Sequence, residues 1–227
     1  LHIIQELGAE IISENGSIVI LSDGVIKAPV SGILNCGESG LAFRMFAPIA
    51  ALATGKITLT GEGSLLKRPM HFFDAVFPEL GVRVKSNNGF LPLQVEGPLR
   101  PIDITIDGSA SSQYLTGLLF AYAKATGQTV EIGVQNLKSK PYVDLSIEMM
   151  KLFGFECNND SYLKFNIQHI DKNPEEIIYT IEGDWSGSAF LLVAAAIHGE
   201  IKVRGLDIFS QQEIGRASCR ERVSSPV

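Results

Sequence analysis

Small polar residues gather at three places where an apolar helix is predicted to begin. The largest cluster, Ser109–Gln113, lies between an apolar strand at 102–106 and an apolar helix at 114–125. Glu38–Gly40 and Asp184–Ser188 stand before two further apolar helices. The first turn of a helix has backbone N–H groups without intrahelical partners and the positive end of the helix dipole, so it suits a phosphate or a carboxylate. The clusters therefore predict anion binding, although any one of them is also typical of an ordinary helix cap.

Two arginines lie close in sequence to these clusters. Arg44 follows Gly40 by one helical turn, and Arg68 directly precedes Pro69. A guanidinium group binds carboxylates and phosphates through two parallel hydrogen bonds, and a glycine lets a ligand approach the backbone closely. Arg44 is equally compatible with a structural charge that pairs with a neighbouring helix. The simpler interpretation of Arg68 is a charged loop residue exposed to solvent, but the nearby clusters of small polar residues favour a role in anion binding.

A repeat of about 72 residues organises the elements that position these residues. Gly8, Gly81 and Gly154 each follow an amphipathic helix and precede an alternating strand, at a spacing of 73 residues. Asn15–Gly16 and Asn88–Gly89 are hairpin signals with the same spacing. Each unit reads strand, apolar helix, strand, amphipathic helix, strand, strand. The predicted fold class is therefore α/β, built from repeated modules.

The apolar helices differ from the amphipathic ones because they are hydrophobic on nearly every side. Such helices are buried, so we expect them to run parallel to one another and to be surrounded by sheets. Their predicted ranges are 41–54, 113–126 and 187–198, with Gly40, Ser111 and Ser186 at the same end. The strands expected to follow them are 56–59, 128–132 and 200–203. Pro48 inside the first helix should leave one carbonyl without its usual donor.

Composition limits the classes of function. The chain has 227 residues, 45% of them hydrophobic, and a net charge of −6, which argues against nucleic-acid binding. The longest uncharged apolar run, 189–197, is too short to cross a membrane, and we expect a cytoplasmic protein. Cys36 and Cys157 lack the spacing of a metal site, so buried free thiols are expected. Residues 213–227 resemble a translated sequencing adapter and are set aside as a non-native tail.

Taken together, these motifs resemble the 3-phosphoshikimate 1-carboxyvinyltransferase (EPSP synthase) family over residues 1–212. The most specific segments are Asp107–Thr116, Ser139–Asp144 and Ile181–Asp184. Gly40–Arg44 and Lys67–Pro69 give weaker support. The chain has Glu38-Ser39-Gly40-Leu41-Ala42-Phe43-Arg44 in place of the family's usual Asn-Ala-Gly-Thr-Ala-x-Arg, so Gly40 and Arg44 are retained but Leu41 removes a hydroxyl group.

The resemblance implies a fold of six α/β units, three in each of two domains, with the substrates in the cleft between them. Residues 1–178 would form most of one domain without its first strand–helix–strand, and residues 179–212 would begin the other. The family's Pro-Gly-Ser-Lys-Ser loop and most of its acid–base groups are expected to lie outside this sequence. We therefore expect a fragment of a protein that is monomeric at full length.

The resemblance also implies a reaction and its ligands. The enolpyruvyl group of phosphoenolpyruvate would be transferred to the 5-hydroxyl of shikimate 3-phosphate, with release of phosphate and without a metal or organic cofactor. The residues implied to bind shikimate 3-phosphate are Ser111, Ser112, Gln113, Ser139 and Tyr142. Those implied to bind phosphoenolpyruvate are Gly40, Arg68 and Gln113, and no catalytic acid or base is identified.

Two other functions are compatible with the sequence. The sister enzyme UDP-N-acetylglucosamine 1-carboxyvinyltransferase shares the fold and uses a loop cysteine, and Cys36 is a candidate for that role. Cys36, however, precedes a predicted buried helix, and the motifs at 111–113 and 139–142 resemble the shikimate enzyme. The second alternative is a non-catalytic ligand-binding module of α/β repeats.

Overall fold

The computed structural model describes residues 1–125, 127–169, 177–210 and 212–215. The chain divides into two compact units. The first consists of Leu1–Lys138 and Phe155–Ile170, and the second of Ser139–Gly154 and Asp171–Val227. Both α-helices and β-strands are present, as the repeat predicts.

The first unit contains four helices, ten strands and one 3₁₀ turn among the described residues. In chain order they are α1 (His2–Glu6), β1 (Glu10–Glu14), β2 (Ser17–Leu21), β3 (Ile33–Asn35), α2 (Gly40–Ala50), β4 (Gly55–Thr60), the 3₁₀ turn (Gly63–Lys67), α3 (His71–Glu79), β5 (Arg83–Asn87), β6 (Phe90–Gly97), β7 (Ile104–Asp107), α4 (Ser112–Ala125), β8 (Val130–Gln135), β9 (Phe155–Asp160) and β10 (Lys164–His169). The second unit contains α5 (Lys140–Leu152) and α6 (Trp185–His198).

The two four-stranded sheets of the first unit have the same topology. Their strand orders are β3-β4-β6-β5 and β7-β8-β10-β9, and β1 pairs with β2 in a separate hairpin. In each large sheet the first pair is parallel and the other two pairs are antiparallel. Buried apolar residues face each other across equivalent pairs, Ile57 opposite Val95 and Ile132 opposite Phe165. The predicted α/β repeat is confirmed.

The turns also follow the repeat. Gly8, Gly81 and Gly154 have φ angles of 111°, 75° and 83°, a region that residues with a side chain seldom adopt. Asn15 and Asn88 open the predicted hairpin turns with φ angles of 50° and 51°. The sequence signals that end the amphipathic helices and reverse the strands are therefore confirmed.

Helices α2 and α4 pack closely against each other. Phe43 of α2 and Leu118 of α4 are fully buried, as predicted for apolar helices. Pro48 has no N–H group to donate to the carbonyl of Arg44, four residues earlier. A Cβ atom on Gly117 of α4 would lie only 2.7 Å from that carbonyl oxygen. A residue without a side chain therefore allows this close approach of the two backbones.

Helix α6 differs from the prediction. It was expected to be buried over 187–198, but Phe190, Val193 and Ile197 are 80%, 59% and 70% exposed, and Trp185 is the buried residue of this helix. The strand expected at 200–203 is also absent. The described residues of the second unit form no strand, so nothing among them covers the apolar sides of α6.

The contact at Gly117 leads to a test of stability. Gly117→Ala should destabilise the chain by about 1–3 kcal/mol, because a backbone oxygen cannot move aside for the added methyl group. Gly127→Ala is the matched control, since its Cβ would meet nothing within 4 Å. Urea unfolding followed by circular dichroism compares the two variants, and equal stabilities would contradict this account of the α2–α4 contact.

Candidate active site

The start of helix α2 carries two guanidinium groups next to one glycine. Ser39 caps the helix, because its hydroxyl accepts a hydrogen bond from the N–H of Ala42 at 3.1 Å. Gly40 is the first helical residue and is buried. A Cβ on Gly40 would lie 2.6 Å from Nη1 of Arg68 and 3.0 Å from Nη1 of Arg44. Glycine at this position therefore leaves the space in which both arginines approach the helix start.

Arg44 connects this helix start to that of α4. Its Nη1 donates a hydrogen bond to Oε1 of Gln113 at 3.0 Å, and its guanidinium carbon lies 5.3 Å from the ring centre of Tyr114. Its Nε is buried and has no hydrogen-bond partner among the described residues. A buried donor without a partner costs free energy of about 1–3 kcal/mol, so the position of Arg44 is held at the expense of stability.

Arg68 approaches the same place from a different element. It follows the 3₁₀ turn in an extended conformation, and its side chain is exposed. Its Nη2 has a long hydrogen bond of 3.4 Å to the hydroxyl of Ser64. Within the described part of the chain, no ion pair joins either arginine to a carboxylate. Two positive groups therefore converge on Gly40 and are available to an anion.

The start of helix α4 is capped as the sequence predicts. The hydroxyl of Ser111 accepts a hydrogen bond from the N–H of Gln113 at 3.2 Å, and Ser112 is buried. Asp107 accepts hydrogen bonds from the N–H and the hydroxyl of Ser109, and these bonds hold the pKa of its carboxyl below the usual value. A capping hydroxyl still has its own proton to donate. The cap is therefore compatible with a second role for Ser111 toward a ligand.

Two predicted site residues belong to the second unit. Ser139 precedes α5 with φ 54° and ψ 46°, a left-handed conformation that is uncommon for serine, and its side chain makes no capping hydrogen bond. Tyr142 lies in the first turn of α5 and is 36% exposed. The expected meeting of Ser139 and Tyr142 with Ser111 remains a prediction, as does the convergence of Ser186 with the other helix starts.

The structure thus brings together Gly40, Arg68 and Gln113, with Arg44 as the link between them. Arg44 is not among the site residues that the sequence predicts. Its position one turn after Gly40 is the available signal, but a spacing cannot show that Gln113, 69 residues away, lies within hydrogen-bond distance. The resulting arrangement is a cationic cradle at two helix starts, which can bind a phosphate or a carboxylate.

The described residues contain no group of three or more His, Cys, Asp or Glu side chains arranged to hold a metal ion. None of the helices described in the structure has the length and hydrophobicity needed to cross a membrane.

Cys36 is unsuited to act as a nucleophile. It is 5% exposed, and its burial raises the pKa of the thiol from 9.0 to about 12. The thiolate is the reactive form of cysteine, and this shift reduces its fraction near neutral pH about a thousandfold.

The burial of Cys36 predicts slow alkylation. At pH 8, iodoacetamide should leave Cys36 unmodified in the folded chain and should modify it rapidly in urea. Peptide mass spectrometry measures the modified fraction of this residue. Equal rates in the two conditions would mean that Cys36 is accessible and ionised, contrary to its burial.

Comparisons with known proteins agree on one family. The sequence model described as EPSP synthase (3-phosphoshikimate 1-carboxyvinyltransferase) matches residues 1–221, a range that enters the tail set aside from residue 213. The 3-phosphoshikimate 1-carboxyvinyltransferase of Clostridium novyi is 37% identical over 179 residues, which are 79% of this chain and 41% of that protein. The protein of the same name from Methanocorpusculum labreanum is 37% identical over 210 residues, 91% of this chain and 49% of that protein.

Solved structures show the same fold. The EPSP synthase of Acinetobacter baumannii has a TM-score of 0.65 at 23% identity, over 86% of this chain and 43% of that chain. The enolpyruvyl transferase NikO from Streptomyces tendae has a TM-score of 0.53 at 14% identity, over 85% of this chain and 45% of that chain. The chain spans about half the length of the relatives that it matches.

Proposed function

The chain belongs to the EPSP synthase family, and on that premise we propose that it forms a substrate-binding part of a 3-phosphoshikimate 1-carboxyvinyltransferase. The reaction is transfer of the enolpyruvyl group of phosphoenolpyruvate to the 5-hydroxyl of shikimate 3-phosphate, with release of phosphate. The observation that carries the proposal is the convergence of two guanidinium groups on Gly40.

Phosphoenolpyruvate is the ligand proposed for this cradle. It carries a phosphate and a carboxylate, and the cradle offers two guanidinium groups that no described carboxylate neutralises. Gly40 allows the ligand to approach the start of α2, while Arg68 and Gln113 supply hydrogen-bond donors.

Shikimate 3-phosphate is proposed to bind next to it, at the start of α4. Ser111, Ser112 and Gln113 lie in the first turn of that helix, where hydroxyl and N–H donors suit a phosphate. Ser139 and Tyr142 are proposed to complete this site. The left-handed conformation and uncapped hydroxyl of Ser139 support a binding role, because strained backbone of this kind is often found at ligand sites.

The chemistry that follows binding is addition and elimination. The 5-hydroxyl adds to C2 of phosphoenolpyruvate and loses its proton, while the methylene carbon of phosphoenolpyruvate gains one. Phosphate then leaves as the resulting methyl group loses a proton, which restores the carbon–carbon double bond. The residues proposed here hold and orient two anions close together, which converts a bimolecular reaction into an effectively unimolecular one. We assign no catalytic acid or base, propose no metal or cofactor, and propose a cytoplasmic location for the protein.

Arg68 provides the direct test of the phosphoenolpyruvate site. Arg68→Ala removes a charged bidentate contact and should weaken phosphoenolpyruvate binding by about 1.5–3 kcal/mol, while binding of shikimate 3-phosphate changes little. Isothermal titration calorimetry on the 227-residue chain measures both dissociation constants. Arg83→Ala is the matched control, because Arg83 lies on the exposed strand β5 and pairs with Glu96. Equal loss in both variants, or none in Arg68→Ala, would remove Arg68 from the site.

The same titrations separate the alternatives. UDP-N-acetylglucosamine should not bind, because the motifs at 111–113 and 139–142 resemble those of the shikimate enzyme. Binding of the UDP-sugar in place of shikimate 3-phosphate would favour that enzyme. The binding-module alternative predicts a different result. The chain would bind both phosphoenolpyruvate and shikimate 3-phosphate, but it would convert neither substrate even when extended to the length of its relatives.

The chain by itself should be inactive. It spans 41% and 49% of the two relatives described above, and a reaction between two anions requires a closed site that excludes water. A coupled assay of phosphate release should show no turnover when both substrates are supplied. The control is a complete relative assayed under the same conditions. Turnover that depends on both substrates would show that this chain contains acid–base groups that are not identified above.

A further inference from the structure

We propose that Tyr114 is a positioning residue that fixes both arginine-bearing segments of the cationic cradle. This inference rests on the proposed function, because the cradle is taken to bind phosphoenolpyruvate. Tyr114 is 3% exposed, so the phenol does not contact solvent or, in this role, the ligand. Its ring contacts Arg44, and its hydroxyl contacts the segment that carries Arg68.

The ring of Tyr114 supports Arg44. The guanidinium carbon lies 5.3 Å from the ring centre, within the distance at which a cation is attracted to an aromatic face. The ring is itself held by two phenylalanines of α3. Phe72 stacks on it with centres 4.3 Å apart, and Phe73 meets it edge-on at 5.2 Å. A rigid aromatic surface of this kind restricts the long arginine side chain before a ligand arrives.

The hydroxyl of Tyr114 holds the Arg68 segment. It lies 3.3 Å from the carbonyl oxygen of Pro69, the residue after Arg68, and 3.4 Å from the sulfur of Met70. The hydroxyl has one proton, so it donates to one of these acceptors at a time. The side chain of Arg68 is otherwise restrained by its long hydrogen bond to Ser64. The tether to Pro69 therefore limits where the backbone presents Arg68.

These two contacts make the cradle preorganised. Ordering a free arginine side chain on binding costs conformational entropy, and a side chain that is already held does not incur this cost again. Because the ring and the hydroxyl act on different arginines, they can be removed separately. Tyr114→Phe removes the tether to Pro69 and keeps the ring under Arg44. Tyr114→Leu removes both contacts.

Two measurements test the proposal on the 227-residue chain. The first is the ¹⁵N–¹H signal of Arg44 Nε in the absence of ligand, assigned by its loss in Arg44→Lys. Burial should protect this proton from exchange with water, and the ring should shift its resonance. The second is the dissociation constant for phosphoenolpyruvate from calorimetry. Tyr122→Phe is the matched control, because Tyr122 lies on the same helix and donates an equivalent buried hydrogen bond to the carbonyl of Ile102.

The expected results differ between the variants. Tyr114→Phe should keep the Arg44 signal and weaken phosphoenolpyruvate binding about two- to tenfold, the effect of one lost hydrogen bond. Tyr114→Leu should shift or lose the Arg44 signal and weaken binding further. Tyr122→Phe should leave the signal and the dissociation constant unchanged, although it loses a similar hydrogen bond.

Other results would overturn the proposal. An unshifted Arg44 signal in a folded Tyr114→Leu would show that the ring does not position Arg44. If Tyr114→Leu does not fold, the comparison of Tyr114→Phe with Tyr122→Phe tests the proposal instead. Equal dissociation constants for phosphoenolpyruvate in these two variants would show that the hydrogen bond to Pro69 does not position Arg68. If the unmodified chain does not bind phosphoenolpyruvate, the proposed function fails. The Arg44 signal then still decides whether Tyr114 positions Arg44, since it needs no ligand.

Discussion

The close contact between α2 and α4 is the constraint on which the candidate site depends. Each helix packs on its own sheet, α2 on β4 and α4 on β10, so the two repeats meet along the helices. Gly117 lets the backbones approach at the Arg44 carbonyl, and the same approach brings Gln113 within 3.0 Å of Arg44. The site is therefore made by the joining of two repeats, and neither repeat contains it alone.

This arrangement leaves charge without compensation. Arg44 is partly buried, its Nε has no partner in the described structure, and Arg68 faces the same glycine. Groups of like charge held close together are unfavourable in the free protein, and a buried unsatisfied donor adds to that cost. The packing around Tyr114 offsets it with aromatic and hydrogen-bond contacts. Contacts in the core thus offset the free-energy cost of keeping the two arginines close together in the absence of a bound anion.

The sequence predicts local features well and contacts between distant residues poorly. The glycine spacing and the Asn-Gly turns are signals within a few residues, and the structure reproduces them at Gly81 and Asn88. The role of Arg44 could not be predicted, because it depends on where α4 lies relative to α2. The exposure of α6 was missed for a related reason. Hydrophobicity shows that a helix needs cover, but it does not show that the described residues around α6 form the strands that would cover it.

Helix α6 shows both a local feature that the sequence predicts and a distant contact that it does not. The cap of this helix is local, because Asp184 accepts a hydrogen bond from the N–H of Ser186 two residues later. The apolar body of the helix remains exposed. A side-chain cap requires only a neighbouring residue, whereas burial requires a sheet. In a protein built from repeats, the donors that bind anions are therefore formed by each helix start itself, and packing between repeats decides which of these starts are brought together in one site.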